Sequence, residues 1–320
     1  MSIPVAVIGA GTFGRQHARV YRELPQAELA GVYDADPARA AQVAQEFGCR
    51  AFSTREEAAG AARAASVAVP TAQHAEVGCA LLRQGLDVLV EKPIAPALAE
   101  ADLLIAAARD SGRLLQVGHL ERFNPVVVAA QRLVTQPLFF EVHRLSVSSP
   151  RSLDTDVVLD LMIHDLDIVL ALCAGRVEEV RAAGLPILSP KIDIANVRLS
   201  FDNGCVANFT ASRVSTERVR KLRFFQPGQY VSLDYTRQDA VVFSVEEAGP
   251  LQTAAFVQPR SGGRITEVAR DVVAQAAMGE DTGRVQPVVR LWTLVVAVHP
   301  GEAVGRRAAS RRAKVDEGRV

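Results

Sequence analysis

The chain opens on a short apolar run, Ile3–Ile8, interrupted only by Pro4 and ended by Gly9. From Phe13 to Leu24 the apolar spacing becomes helical, with Phe13, His17, Val20 and Leu24 on one side. A second run, Glu28–Tyr33, closes on Asp34, and helical spacing returns over Pro37–Phe47, where Pro37 suits a first-turn position. Ala65–Val69 and Asp87–Val90 read as buried strands on either side of a helical stretch, His74–Gln84. Leu98–Ser111 reads as a helix and Leu114–Val117 as a strand. Short apolar strands alternating with helices predict an α/β domain: a doubly wound parallel sheet of Rossmann type, with right-handed crossovers, over residues 1–120.

Past residue 120 the pattern changes. Asn124–Val134 and Asp156–Cys173 read as helices. Runs rich in β-branched and aromatic residues follow the first of these: Phe139–Val147, Val177–Leu188, Asn196–Phe201, Cys205–Ser212, Lys221–Phe225, Tyr230–Tyr235 and Ala240–Val245. Turn signals such as Asp202-Asn203-Gly204 and Pro227-Gly228 separate several of them, so the strands pair mostly antiparallel in an open sheet. Residues 121–320 are therefore expected to form an α+β domain for substrate binding and oligomerisation. Helices over Thr266–Ala277 and Val288–Val298 are expected to pack back on the first domain. His299-Pro300-Gly301 interrupts the last of the helical pattern, and 305–320 is expected to be a flexible basic tail.

Composition narrows the function. A chain of 320 residues with 49% hydrophobic and 22% charged residues is long enough for two cores. Lys and Arg number 36 and so do Asp and Glu, so no global field exists to hold a nucleic acid or an anionic membrane. Val288–Val298 is too short to span a bilayer and contains Arg290, and the N-terminus lacks a cationic leader. Cys49, Cys79, Cys173 and Cys205 are far apart with no CxxC pair, which predicts reduced thiols, no metal site and a cytoplasmic protein.

Gly9-Ala10-Gly11-Thr12-Phe13-Gly14 matches G-x-G-x-x-G between a strand and a helix, and Asp34 lies 20 residues past Gly14 at the end of the next strand. Gly9 permits the tight turn, Gly11 lets a pyrophosphate approach the backbone, and Gly14 allows close helix–strand packing. Thr12 and Phe13 start the helix, whose unpaired N–H groups and positive dipole end suit phosphates. Asp34 is placed to accept hydrogen bonds from ribose hydroxyls and repels a 2′-phosphate, so NAD is favoured over NADP, with Arg39 nearby working the other way. Glu91-Lys92-Pro93 ends another strand at the sheet edge where ligands bind. Pro93 stiffens the turn, and an amine facing a cationic nicotinamide has a lowered pKa.

Together these segments resemble the glucose–fructose oxidoreductase/inositol dehydrogenase (Gfo/Idh/MocA) family, over nearly the whole chain to about Val245. Val69-Pro70-Thr71-Ala72-Gln73-His74 is similar to its T-P-x-x-x-H element. The resemblance therefore implies Pro70, Thr71, His74, Glu91 and Lys92 as cofactor contacts. Glu91-Lys92-Pro93 resembles its E-K-P signature, whose lysine is usually catalytic. Asp160-Leu161-Met162-Ile163-His164 resembles its D-x-x-x-H element, whose two side chains reach the substrate; at i and i+4 they share a helix face. A narrower likeness runs through Gly118-His119-Leu120-Glu121-Arg122-Phe123-Asn124-Pro125, Ser212-Arg213-Val214-Ser215, Arg220–Arg223 and Tyr230–Tyr235. It is similar to the branch containing UDP-N-acetylglucosamine 3-dehydrogenases, which serve lipid A amino-sugar synthesis alongside a transaminase.

The resemblance implies a sugar or nucleotide-sugar substrate, a dimer or tetramer formed through the second sheet, and oxidation of a secondary alcohol by NAD. Its expected contacts are Lys92, His119, Arg122, Asn124, Arg144, Asp160, His164 and Arg213, with the arginines suited to a diphosphate. Lys92, His164 and Asp160 form the expected catalytic set. His164 is favoured as acid/base because imidazole titrates near neutrality, with Lys92 polarising the oxygen; the reverse assignment is the alternative. Two rivals stand beside this reading: a dehydrogenase of a free sugar, inositol or other polyol, and a non-catalytic ligand-sensing protein.

Overall fold

The computed structural model describes residues 2–147 and 155–244. They fall into two compact units, the first ending at Leu120 and the second beginning at Glu121. The two C-terminal helices, the broken segment and the basic tail expected from sequence lie outside the described residues.

The first unit is a six-stranded sheet: β1 (Ile3–Ile8), β2 (Ala27–Tyr33), β3 (Arg50–Ala51), β4 (Ala64–Val67), β5 (Asp87–Val90) and β6 (Leu115–Val117). Its order is β3-β2-β1-β4-β5-β6 and every pairing is parallel, so the order reverses between β1 and β4. Helices α1 (Thr12–Glu23), α2 (Pro37–Phe47), α3 (Arg55–Ala61), α4 (His74–Arg83) and α5 (Leu98–Ser111) make the crossovers. Ile8, Val67, Leu81, Leu82, Val88, Val90 and Leu104 share one buried cluster, which fixes the strand ends that carry the loops.

Local chemistry sets the element boundaries. Asp36 caps α2 by accepting from the Ala38 N–H at 3.0 Å, Pro37 fills the first turn, and Gly48 closes the helix at φ 63°. The short α3 was not expected, although its signal is present. Thr54 accepts from the Glu57 N–H at 3.1 Å while the Glu57 carboxylate accepts from the Ser53 N–H at 2.9 Å, so donors on both sides of the helix start are satisfied.

The second unit is built on seven strands: β7 (Phe139–Val147), β8 (Val177–Leu185), β9 (Ile194–Phe201), β10 (Val206–Ser215), β11 (Val219–Gln226), β12 (Gln229–Asp234) and β13 (Asp239–Ser244). Their order is β13-β12-β11-β7-β10-β9-β8, and only β7 and β10 run parallel. One face packs Phe140, Val142, Phe209, Leu222 and Phe224 against α6 (Pro125–Leu133) and α7 (Ile163–Leu172). The other face carries an aromatic ladder, Phe139–Phe225–Tyr230–Phe243, with ring centroids 5.9, 5.0 and 5.5 Å apart.

Two expected boundaries change for physical reasons. Strand β8 stops at Leu185 rather than Leu188, because the N–H groups of Ile187, Leu188 and Ser189 turn onto the Asp193 carboxylate at 2.8, 2.6 and 2.9 Å. The helix expected from Asp156 begins instead as a π turn over Val158–Met162, where the Ile163 N–H reaches back to the Val158 carbonyl.

Asp193 is fully buried, and burial alone would raise its pKa. The three N–H donors and Arg213 outweigh that and hold the carboxyl far below the usual carboxylate range. A folded-state pKa depressed in this way adds stability above the unfolded value of about 4, and that stability is lost as pH falls toward the folded value. The urea midpoint of the wild type is therefore expected to drop more than that of Asp193→Asn between neutral pH and about pH 3. Equal drops would show that Asp193 does not contribute to the acid sensitivity.

Candidate active site

The glycine loop sits at the order reversal of the parallel sheet, where such sheets bind ligands. Gly9 has φ 96°, and a Cβ there would lie 2.6 Å from the Ala68 carbonyl oxygen. A Cβ on Gly14 would overlap the Gly9 carbonyl, so α1 can approach β1 only with glycine at this position. Nothing stands within 4 Å of where a Gly11 Cβ would be. A turn closed at its first and third glycines, and open at the second beside the N–H groups of a twelve-residue helix, fits a dinucleotide pyrophosphate. Thr12 and Phe13 form the first turn of that helix, and Phe13 is exposed.

Asp34 stands at the end of β2, as the spacing predicts, and its carboxylate is already engaged. It accepts from the Ala10 N–H at 2.7 Å and the Asp36 N–H at 2.9 Å, and Arg39 approaches to 3.2 Å. It braces the glycine loop as well as standing where a ribose would be read.

The Glu91-Lys92-Pro93 turn follows β5 and contains a cis Lys92–Pro93 peptide. Lys92 is half-buried, whereas Glu91 points inward. The Glu91 carboxylate receives His17 Nε2 at 2.8 Å and the Lys92 N–H at 3.2 Å. His74 is likewise buried, its ring nitrogens 2.9 Å from the Pro93 carbonyl and 3.0 Å from the Val69 carbonyl. Two carbonyls can only accept, so the imidazolium makes both bonds and the neutral ring makes one. His74 therefore ties the start of the Pro70-Thr71 loop to the lysine turn. The periodicity placed His17 on the inner face of α1 without a role. Its position three residues after Gly14, a polar residue on an otherwise apolar face, was the available signal.

In the second unit Asp160 lies in the π turn and His164 in the first turn of α7, both partly exposed. Four of the polar residues expected to meet substrate have partners within this unit. Asn124 caps α6 through the Val126 N–H at 3.2 Å, and its amide donates to the Tyr235 carbonyl at 3.1 Å. Arg213 donates to Asp193 at 2.7 Å and to the Thr155 and Ile192 carbonyls at 2.6 and 3.0 Å. Arg144 forms a bidentate pair with Asp165 at 2.6 and 2.9 Å, with Glu121 at 3.4 Å and the Tyr235 ring centroid at 5.4 Å. Both members of the Arg144–Asp165 pair are buried, as are Arg213 and Asp193, so both arginines are held by carboxylates within the second unit. Arg122 donates to Asp167 at 2.9 Å, but its side chain stays 41% exposed. His119 is half-buried just past β6.

Burial opposes both charges of the central pair. It pushes the Asp165 carboxyl above its ordinary value, although Arg144 works against the rise. It would lower the guanidinium, but Asp165 outweighs it and Arg144 is raised. Burial also raises the Tyr235 hydroxyl well above its usual value, and the thiol of Cys205 is pushed up to about 12. Among the described residues no group of three or more His, Cys, Asp or Glu is placed to hold a metal ion, and no helix is long and apolar enough to cross a membrane.

Residues 3–119 match the model of an oxidoreductase family with an NAD-binding Rossmann fold, and residues 141–226 match the Gfo/Idh/MocA C-terminal domain. The chain is 40% identical to the UDP-N-acetylglucosamine 3-dehydrogenase of Acidithiobacillus ferrooxidans over 72% of its own length and 73% of that protein. The solved structure of that enzyme superimposes with a TM-score of 0.73 at 32% identity, covering 93% of this chain and 98% of that one. A scyllo-inositol 2-dehydrogenase of Bacillus subtilis is 27% identical over 66% of this chain and 67% of the relative. With the glycine loop, the order reversal and the mostly antiparallel second sheet, these matches show that the chain belongs to the Gfo/Idh/MocA family of nicotinamide-dependent oxidoreductases.

Proposed function

We propose that this protein oxidises the 3-hydroxyl of UDP-N-acetylglucosamine, using NAD in preference to NADP, to give the 3-keto nucleotide sugar. The observation that carries this reading is the identity of 40% to a dehydrogenase of that substrate, against 27% to the inositol enzyme. Asp34 at the end of β2 supports NAD, because its anion repels a 2′-phosphate.

The Gly9–Gly14 loop and the N-terminus of α1 would hold the dinucleotide by its pyrophosphate, and the bound cofactor would supply the acceptor for the hydride of the carbon that carries the hydroxyl. Lys92 hydrogen-bonds the hydroxyl oxygen and polarises it. His164 takes the hydroxyl proton, a role suited to an imidazole whose ordinary pKa lies near neutrality. Asp160, one turn earlier, orients the sugar and the His164 ring. Of the three arginines expected at the diphosphate, Arg122 keeps the exposed side chain, and with His119 it is assigned to substrate binding. The reaction fits a cytoplasmic step of lipid A amino-sugar synthesis, its ketone passing to a transaminase. The aromatic ladder on the open face of the second sheet supports self-association into a dimer or tetramer.

The deciding experiment follows NADH absorbance with UDP-N-acetylglucosamine, N-acetylglucosamine, glucose and myo-inositol. The nucleotide sugar is expected to lead in kcat/KM by about 100-fold or more, because sites built to bind a diphosphate reject substrates lacking it. Better turnover of inositol or a free sugar would move the substrate to that class. NAD binding without hydride transfer to any alcohol would make the protein a ligand sensor.

A further inference from the structure

Polar groups taken into a protein interior cost stability unless each finds a partner, so a buried polar chain marks something the fold needs held. The first unit contains one that no cofactor or substrate contact explains. Tyr21 Oη lies 2.6 Å from Ser66 Oγ, which lies 3.1 Å from His17 Nδ1. His17 Nε2 lies 2.8 Å from Glu91 Oε1, and Glu91 Oε2 accepts the N–H of Lys92 at 3.2 Å. Tyr21, Ser66, His17 and Glu91 are 1, 0, 4 and 7% exposed. With Nε2 carrying the proton toward Glu91, Nδ1 accepts from the Ser66 hydroxyl and Ser66 accepts from Tyr21, so every bond in the chain runs in one direction.

The placement of the two ends is informative. His17 and Tyr21 belong to α1, whose N-terminus is the candidate pyrophosphate site, and Ser66 belongs to β4 beside it. The far end is the peptide that carries the Lys92 amine. We infer that His17 is a positioning residue for Lys92: through Glu91 it ties the lysine turn to the cofactor-binding helix. The inference rests on the proposed catalytic role of Lys92. A leucine at position 17 would fill the same helix face without any buried polar atom, so packing alone does not account for a histidine here.

Two neighbours make the tie rigid. A Cβ on Gly118 would lie 3.2 Å from the Glu91 carboxyl, so the end of β6 closes against that side chain and leaves it little room to swing. On the other side of the lysine, the Pro93 carbonyl is held by His74 at 2.9 Å. Lys92 thus stands between two anchored residues, one held from α1 and one from α4.

The test uses the full chain with NAD+ added. In His17→Leu the Glu91 carboxylate loses its side-chain donor and keeps only the Lys92 N–H, and the Lys92 amine is expected to undergo reductive methylation about threefold or more faster, read by mass spectrometry of its peptide. His17→Gln, which keeps an N–H donor, stays within about twofold of wild type. NAD affinity changes by less than about threefold in both. With UDP-N-acetylglucosamine, kcat of His17→Leu falls about 10- to 100-fold with little change in KM. In a Lys92→Met background the same change removes less than about twofold more.

Unchanged Lys92 methylation in folded His17→Leu overturns the inference, as does a full multiplicative loss in the Lys92→Met background. If His17→Leu does not fold, Glu91→Gln takes its place, because His17 and the Lys92 N–H meet different oxygens of Glu91 and an amide turns an NH2 group toward one of them. Faster methylation beside a fully active Lys92→Met enzyme would keep His17 as the anchor and sink the catalytic role of Lys92 instead.

Discussion

Replacing Lys92 by Met is expected to lower kcat by about 10²- to 10⁴-fold while changing NAD affinity by less than about threefold. Methionine keeps the length and most of the apolar stem of lysine and removes only the amine, so packing beside β5 is nearly conserved. The pyrophosphate contacts assigned to this chain belong to the Gly9–Gly14 loop and the N-terminus of α1, which the substitution does not touch. In the proposed mechanism the amine acts on the alcohol, so its loss is expected to fall on the chemical step. Single-turnover NADH formation with UDP-N-acetylglucosamine, beside calorimetric NAD binding, separates the two quantities. Equal losses in both would mean that Lys92 holds the cofactor and does not act on the hydroxyl.

Arg144→Met is expected to cost the second unit about 3–5 kcal/mol, a large share of the stability of an ordinary domain. The substitution leaves the Asp165 carboxyl, already raised by burial, without its bidentate partner, and it leaves Glu121 nearby. It also removes the cation from the face of the buried Tyr235 ring. Adding Asp165→Leu should recover much of the loss, because two apolar side chains in place of a buried ion pair are often neutral. Urea unfolding of the single and double variants measures this. A single-variant cost below about 1 kcal/mol would show that water reaches the pair. Asp165 directly follows His164 in α7, so activity in Arg144→Met is expected to fall along with stability.

The α/β alternation of the first unit was readable because each element is short, strongly periodic and bounded by its own caps, as at Asp36-Pro37 and Gly48. The same holds for the strands of the second unit, where apolar residues alternate with polar ones and Gly-containing turns separate neighbours. What escaped was set by side chains reaching far along the chain. β8 ends early because Asp193 takes its next three N–H groups, and the first turn of the 156–173 helix widens into a π turn. Neither event leaves a mark on hydrophobic periodicity.

The candidate site divides the same way. A glycine's role is a local property of its own backbone, so Gly9, Gly11 and Gly14 can be read from spacing; the backbone is tight at Gly9, open at Gly11 and closely packed at Gly14. An arginine carries the same five donors whether it meets a phosphate or a buried carboxylate. The sequence could name Arg144 and Arg213 as cations but had no means of pairing them with Asp165, 21 residues away, or Asp193, 20 residues away.

By itself, then, the order of residues determined the two fold classes, the dinucleotide turn and the family motifs, which are written in local patterns of apolar spacing and turn residues. Only the tertiary structure decided which polar side chains face inward. It gave Glu91, His74, Asn124, Arg144 and Arg213 partners within the fold, and it set the buried His17 against Glu91 beside the lysine turn. The physical reason is desolvation: a charge or ring nitrogen carried into the interior must take the partner that folding brings within about 3 Å, and that partner is set by strand order rather than by sequence distance.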